Sequence, residues 1–176
     1  LPAFPSITLG AVDLAPVEIA QMYQSLASGG HRAPLRTIRW IADGEDHPLA
    51  RYPLRSELAL DPSGTFLVNR ALQEAVRTGT ARGLARDFPA TLALAGKTGT
   101  TDGYRDSWFA GYAGNILTVV WLGFDDNRVT GLTGASGALR VWARLMRQLP
   151  LRPVQLYPPS NIIQVRRDES IAQSAC

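Results

Sequence analysis

The sequence predicts an α+β fold, and three observations carry that prediction. Helical patterns dominate the first ninety residues, interrupted by one hairpin pattern, and short apolar segments separated by tight turns follow residue 90. The regular strand–helix alternation of a parallel sheet is absent. The expected order is helix, hairpin, helix, three-stranded meander, helix.

Each element has its own local reason. In "APVEIAQMYQSLASGG", Pro16 fits the first helical position, and Val17, Ala20, Tyr23 and Ala27 recur at helical spacing. Gly29-Gly30 stops that helix. "APLRTIRWIADGEDHPLARY" alternates Leu35, Thr37, Arg39 and Ile41 before an Asp43-Gly44 turn, the pattern of a β-hairpin. Asp61-Pro62 opens a second helix carrying Phe66, Val68, Leu72, Ala75 and Val76, and Gly79 ends it. Thr91–Ala95, Ser107–Tyr112 and Ile116–Phe124 are expected as sequential antiparallel strands, with Ala113-Gly114-Asn115 as a tight turn. Gly134–Gly137 leads into a last helix whose Leu139, Trp142, Leu145, Met146 and Leu149 share one face. Pro150, Pro153, Pro158 and Pro159 mark residues 150–176 as a tail or linker.

Composition narrows the function classes. With 176 residues, 45% hydrophobic and 19% charged, the chain suits one globular domain, or a large part of one, with a buried core. The net charge of +3 is mild and its arginines are scattered, the longest basic run being Arg166-Arg167, which argues against a nucleic-acid footprint. No apolar run is long enough to cross a membrane, and no signal-peptide pattern opens the chain. Any targeting or anchoring element is expected outside these residues. Cys176 is the one cysteine, so an internal disulfide is excluded, and with only His31 and His47 beside it no zinc cluster is expected. Both histidines read as solvated loop residues. No metal or cofactor is expected.

Lys97 is the single lysine among 18 basic side chains, set in "LALAGKTGTTDGYRDSWFAGY". Gly96-Lys97-Thr98 matches the end of the phosphate-loop pattern G-x-x-x-x-G-K-[ST], but its first glycine would fall at Thr91. The helix that should follow is replaced by Gly99, Gly103 and a strand pattern. An extended chain instead puts Lys97 and Gly99 on one face and Thr98 and Thr100 on the other. With Thr101, this stretch offers one point charge and three hydroxyls, suited to holding a carboxylate, and backbone N–H groups suited to an oxyanion. From the residues alone, that anion site and an ordinary solvated turn both remain open.

Lys97-Thr98-Gly99 is also the K-T-G element of serine penicillin-binding proteins and β-lactamases. Three residues are weak, but "PVEIAQMYQSLASGG", "VRTGTARGLA", "AGKTGTT", "DSWFAGY", "TVVWLGFDDN" and "GASGA" follow one another in the order and spacing of class A penicillin-binding proteins. The chain resembles the 1B-like branch of that family over roughly residues 5–150. Those proteins are bifunctional peptidoglycan synthases. The resemblance implies the penicillin-binding transpeptidase fold, an antiparallel meander with packed helices, for residues 1–150.

It also implies an activity and a set of site residues. The family's transpeptidase domain acylates an active-site serine with the D-Ala-D-Ala end of a stem peptide and passes the acyl group to an amine; β-lactams acylate the same serine. Carried over, Lys97 supplies positive potential and orients the serine of an S-x-N element. Thr98, Thr100 and Thr101 offer hydroxyls to the substrate carboxylate, Thr100 foremost. The Thr100 N–H is an oxyanion donor, and Gly99 lets substrate lie against the strand. Stem peptides and β-lactams are the implied partners, at the periplasmic face of the bacterial inner membrane, reached only through an N-terminal anchor outside these residues.

The chain departs from the family pattern at the nucleophile. S-x-x-K needs a serine three residues before the only lysine, and that residue is Leu94; no serine is followed two positions later by asparagine. The reacting serine and its base are therefore expected upstream, the chain alone is expected to be inert, and pairing with that upstream half or self-association is expected at the surface left bare. Ser136 in "GASGA" approaches the G-x-S-x-G elbow, but Ala138 breaks the pattern and both histidines precede the serine, so a helix N-cap is expected. Trp108 and Trp121 read as core aromatics, Asp125-Asp126-Asn127 as a strand-end turn, and Asp106 as a residue with an open role at the cleft rim. The alternatives are a D,D-carboxypeptidase or β-lactamase relative sharing K-T-G, and a non-catalytic partner-binding module.

Overall fold

The computed structural model describes residues 12–163. Residues 1–11 and 164–176, with Arg166-Arg167 and Cys176, lie outside the described residues.

Helix α1 spans Pro16–Ala27, with Pro16 in its first turn and the Glu18 carboxylate accepting the Ala15 N–H at 2.7 Å. Gly29 and Gly30 end it at positive φ, and a Cβ on Gly30 would lie 2.7 Å from the Leu60 carbonyl oxygen, so only glycine passes there. The inward residues of α1 are Tyr23, Ser25 and Leu26, whereas Val17 and Ala27, expected on the apolar face, are exposed.

Strands β1 (His31–Arg32), β2 (Trp40–Ala42), β3 (Pro48–Arg51) and β4 (Glu57–Leu58) follow; β2 pairs with β3 and β1 with β4, both antiparallel. His31 thus sits in a short strand, not a loop, and is exposed. The expected hairpin forms, but its ladder begins only at Trp40. Its turn is held by the Asp43 carboxylate, which accepts the Glu45 and His47 N–H groups at 2.9 Å; those bonds, His47 first, hold the Asp43 carboxyl below its usual range.

Helix α2 spans Pro62–Arg77, capped by Asp61 accepting the Gly64 N–H at 2.6 Å. Its inner face is Thr65, Asn69 and Leu72, with Val68 exposed, so two of three buried positions are polar. Asn69 is buried because it is satisfied: the buried Tyr112 hydroxyl donates to its carboxamide oxygen, and its amide donates to the Leu26 carbonyl at 2.8 Å. Burial pushes the Tyr112 phenol well above its ordinary range, so it stays a proton donor tying the sheet to both helices.

The three-stranded sheet runs β5 (Ala95–Thr100), β6 (Ser107–Tyr112) and β7 (Leu117–Leu122), antiparallel in that order. The strand expected at 91–95 is corrected: Ala90–Leu92 form a 3₁₀ turn and Ala93 takes a left-handed φ of 48°. That turn buries Leu94 and packs Leu92 on the core, while the glycine-rich stretch after it takes the ladder position beside β6.

Helix α3, Ala138–Met146, closes the fold. Phe109 and Val120 face it, packing with Trp142 and Met146, while Ala95, Tyr112 and Leu117 face α1 and α2 through Tyr23, Leu26 and Leu72. The sheet is therefore covered on both faces. Leu145, expected inward, is 43% exposed; Ala143 takes the inner position because the helix is seated about Trp142. Residues 150–163 form no helix or strand, but they lie against the body. Gly114 N–H bonds the Arg152 carbonyl at 2.7 Å, Val154 N–H bonds the Leu92 carbonyl at 2.9 Å, and Leu151 and Val154 pack on the two cores.

Trp142 is wholly buried, edge-on to Phe88 and Phe109 at 5.9 and 5.1 Å, and donates to the Thr118 carbonyl at 3.1 Å. Trp142→Ala should therefore destabilise the protein by about 3–5 kcal/mol, read by chemical denaturation, whereas exposed Val141→Ala on the same helix should change little.

Candidate functional site

β5 is the edge strand, so one side of its backbone has no ladder partner. Which groups point outward follows from the ladder. Just beyond β5 the Thr101 N–H donates to the Asp106 carbonyl at 3.3 Å, making Thr101 and Asp106 a directly bonded pair. Alternation then bonds Gly99 to Trp108 and Lys97 to Ala110, and leaves the N–H and C=O of Thr98 and Thr100 facing the open edge. The turn between β6 and β7 gives the same phase, since Ala113 N–H bonds the Ile116 carbonyl.

Lys97 is exposed, and its ammonium curls to that edge, donating to the Thr98 carbonyl at 3.0 Å. No carboxylate pairs with it among the described residues. The Lys97 ammonium and the outward N–H groups of Thr98 and Thr100 therefore share an edge. As the alternation requires, Lys97 and Gly99 lie on the face of Trp108 and Ala110, and Thr98 and Thr100 on the face of Phe109 and Ser107.

The three threonines are not equivalent. Thr100 Oγ1 accepts the Gly134 N–H at 2.9 Å and keeps its own proton to give. Thr98 Oγ1 shares a proton with Thr80 Oγ1 at 2.6 Å. Thr101 Oγ1 already donates to Asp106 Oδ2 at 3.0 Å and accepts the Asp106 N–H at 2.8 Å. Its proton is committed to the protein, so of the expected carboxylate-binding hydroxyls Thr101 is the one the geometry turns to anchoring.

Surrounding segments converge on this edge. Ser107, fully buried, donates to the Thr133 carbonyl at 2.8 Å and accepts the Ala138 N–H at 2.9 Å, so a β6 hydroxyl satisfies the start of α3. Ser136 is not the cap: Gly137 holds that position, and Ser136 Oγ accepts from the Thr133 N–H and hydroxyl at 2.9 and 3.0 Å, closing the preceding turn. Trp108 and Trp121 oppose each other at 6.0 Å and are half-buried rather than core; Trp121 Nε1 donates to Asp106 Oδ1 at 2.9 Å. Asp125–Asn127 form the expected turn, with Asn127 N–H on the Phe124 carbonyl at 2.9 Å. β5 runs straight through Lys97 into a 3₁₀ turn and β6, so no helix N-terminus stands where a phosphate loop requires one.

Sequence reasoning did not foresee Thr80 as a partner of Thr98, or Ser107 as the support of α3. Thr80 lies in "RTGTA" 18 residues before its partner, and nothing in local periodicity pairs hydroxyls across that distance.

The chain with this open K-T-G strand belongs to a known protein family. The family described as penicillin binding protein transpeptidase domain matches residues 3–137. Within it the chain is a class A, 1B-like member matching the C-terminal transpeptidase part. It is 44% identical over 158 residues to penicillin-binding protein 1B of Vibrio cholerae, covering 90% of this chain and 20% of that protein. With penicillin-binding protein 1B of Escherichia coli it shares 39% over 164 residues, 93% of this chain and 19% of that protein. The chain thus spans about a fifth of the length of these relatives. The crystal structure of penicillin-binding protein 1A from Haemophilus influenzae superposes with a TM-score of 0.80 at 25% identity, covering 89% of this chain and 30% of that one.

Gly134 is where the site is tightest. A Cβ there would lie 2.6 Å from the Gly99 carbonyl oxygen and 2.7 Å from that of Trp108, both backbone atoms. Gly134→Ala should push the turn off β5, lowering stability by about 1–3 kcal/mol and speeding amide exchange at Gly134 and Ala138. Gly44→Ala, into open space, should do neither.

Proposed function

We propose that this chain supplies the substrate-binding strand of a serine D,D-transpeptidase that cross-links peptidoglycan and is acylated by penicillins. The observation that carries the reading is the open edge of β5, which the Lys97 ammonium and the Thr100 N–H both face, with no carboxylate paired to Lys97 among the described residues.

On this reading an extended stem peptide, or a β-lactam that mimics it, lies along the edge as an added strand. Gly99 carries no side chain on the face of Lys97, where a Cβ would lie 3.1 Å from Trp108 Cβ, so the strand passes close over that tryptophan. The ligand carboxylate accepts a hydrogen bond from the Thr100 hydroxyl, helped by Thr98, within the positive potential of Lys97. The scissile carbonyl oxygen points at the Thr100 N–H. As a serine oxygen bonds to the carbonyl carbon, its proton passes to a base and the carbonyl electron pair moves onto oxygen, where that N–H stabilises it. Collapse breaks the C–N bond as the base returns its proton to the departing nitrogen, which releases the terminal D-alanine or opens the lactam ring and leaves an acyl-enzyme for an amine to resolve. Lys97 also orients the serine hydroxyl of the S-x-N element.

The serine nucleophile and its base come from a different segment of the same domain, because this chain holds neither S-x-x-K nor S-x-N. The chain alone is then inert. The whole protein is a bifunctional synthase, anchored outside these residues and working at the periplasmic face of the inner membrane. The exposed α1 and α2 side chains Val17, Met22, Leu67 and Val68 meet the catalytic half of the domain, or a second copy when that half is missing.

Fluorescent penicillin tests this directly. The whole protein should label covalently and this chain alone should not; a whole protein that never labels defeats the transpeptidase reading. Lys97→Ala in the whole protein should slow acylation on the order of 100-fold, the scale of losing one preorganised electrostatic group, with the melting temperature almost unchanged because Lys97 is exposed. An unaltered acylation rate would return Lys97 to the role of a solvated surface side chain.

A further inference from the structure

We propose that Asp106 is a positioning residue of this site: it fixes the end of β5, and with it the direction of the Thr100 N–H, by clasping Thr101 and Trp121. The inference rests on the acyl-transfer reading above and assigns it a residue that touches neither substrate nor nucleophile.

Asp106 joins three strands at one point. Its Oδ2 accepts the Thr101 hydroxyl at 3.0 Å, its N–H donates back to that hydroxyl at 2.8 Å, and its carbonyl accepts the Thr101 N–H at 3.3 Å. Its Oδ1 accepts Trp121 Nε1 from β7 at 2.9 Å. No cation pairs with the carboxylate among the described residues, so its charge is directed into these two side-chain hydrogen bonds, which are stronger for it.

The clasp acts on the residue next to the oxyanion donor. Thr101 directly follows Thr100, and a change in φ or ψ at Thr100 turns its N–H relative to the held Thr101 peptide. The segment between Thr101 and Asp106 does not hold itself straight: Gly103 and Tyr104 both have positive φ, 70° and 57°, which is costly for a tyrosine. Tyr104 is kept there from outside, its carbonyl accepting the Thr130 N–H at 2.9 Å and the Thr130 hydroxyl at 2.7 Å. Without the Asp106 carboxylate the strand end loses its side-chain ties to Thr101 and Trp121 and is left to backbone hydrogen bonds such as Tyr104 N–H to the Thr101 carbonyl at 3.1 Å.

Trp121 extends the clasp beneath the strand. Its ring stands 6.0 Å from that of Trp108, and Trp108 Cβ lies 3.1 Å from where a Gly99 Cβ would be, so Trp121 backs the tryptophan that lies under Gly99. Gly123 reserves the space: a Cβ there would overlap the Trp121 ring and lie 2.7 Å from Asp106 Oδ1.

The experiment measures acylation of the whole protein by a fluorescent penicillin, separating the dissociation constant of the first complex from the acylation rate constant. Asp106→Ala should lower the rate constant about 10- to 100-fold, the scale of a donor misplaced by an ångström or less. The dissociation constant should stay within about threefold, as expected when an interaction of the transition state is lost. Asp106→Asn keeps an acceptor for Trp121 and loses one for Thr101, so it should fall between, with the melting temperature of the parent. Trp121→Phe, which keeps a ring and removes the N–H, should slow acylation in the same sense. Asp106→Asn and Trp121→Phe proteins that stay folded and acylate at the parent rate would overturn the proposal, as would losses confined to the dissociation constant. Should the unsubstituted protein fail to label at all, the acyl-transfer reading itself falls, an outcome distinct from parent-like variants in a protein that does label.

Discussion

β5 is hydrogen-bonded on one side only, and the rest of the structure is arranged around that fact. An unpaired edge is ordinarily a liability, open to any strand that drifts against it. Here it is short, six residues, it carries the chain's only lysine, and its outward groups belong to Thr98 and Thr100. On the proposed reading the strand receives a ligand and must be stiff, because a donor that wanders has no preorganised value to a developing oxyanion. The other elements supply that stiffness.

They do so from three directions. From one face, α2 and α1 are tied to the sheet through Tyr112, Asn69 and the Leu26 carbonyl, a buried polar chain whose members satisfy one another. From the other, the Gly134–Gly137 turn presses on Gly99, its N–H bonded to Thr100 Oγ1, while Ser107 holds the start of α3 and Trp142 seats that helix on Phe109. At the strand's end Asp106 gathers Thr101 and Trp121. On the proposed reading, this packing sets the aim of the Thr100 N–H.

Much of this was legible in the residues, and the exceptions share a physical cause. Pro16, Asp61-Pro62 and the paired glycines at 29–30 announce helix ends because capping is local chemistry. The meander, the face alternation along Lys97–Thr100 and the turn at Asn127 follow from short-range rules as well. What local rules miss is burial earned at long range. Asn69 looks like a surface residue until Tyr112, 43 positions later, satisfies it. Val17 and Val68 look like core residues, yet nothing in residues 12–163 covers them. The run at 91–95 reads as a strand by hydropathy but packs as a turn, because the ladder place beside β6 belongs to the glycine-rich segment after it. The proline-rich stretch after 150 reads as a loose tail, yet backbone bonds to Gly114 and Leu92 lay it against the body. Of the residues named from K-T-G, Lys97 and Thr100 lie on the two faces of β5 that alternation predicts, whereas the commitment of the Thr101 proton to Asp106 needed geometry.

The central claim is that the Thr100 N–H on the open edge of β5 receives the reacting oxygen. A crystal structure of the whole protein acylated by a β-lactam measures this most directly. The account predicts the acyl carbonyl oxygen about 2.7–3.1 Å from the Thr100 nitrogen, with the ligand carboxylate at the Thr100 hydroxyl and β5 otherwise as described. A carbonyl oxygen held by other donors, or another strand of the protein paired along that edge, would contradict it.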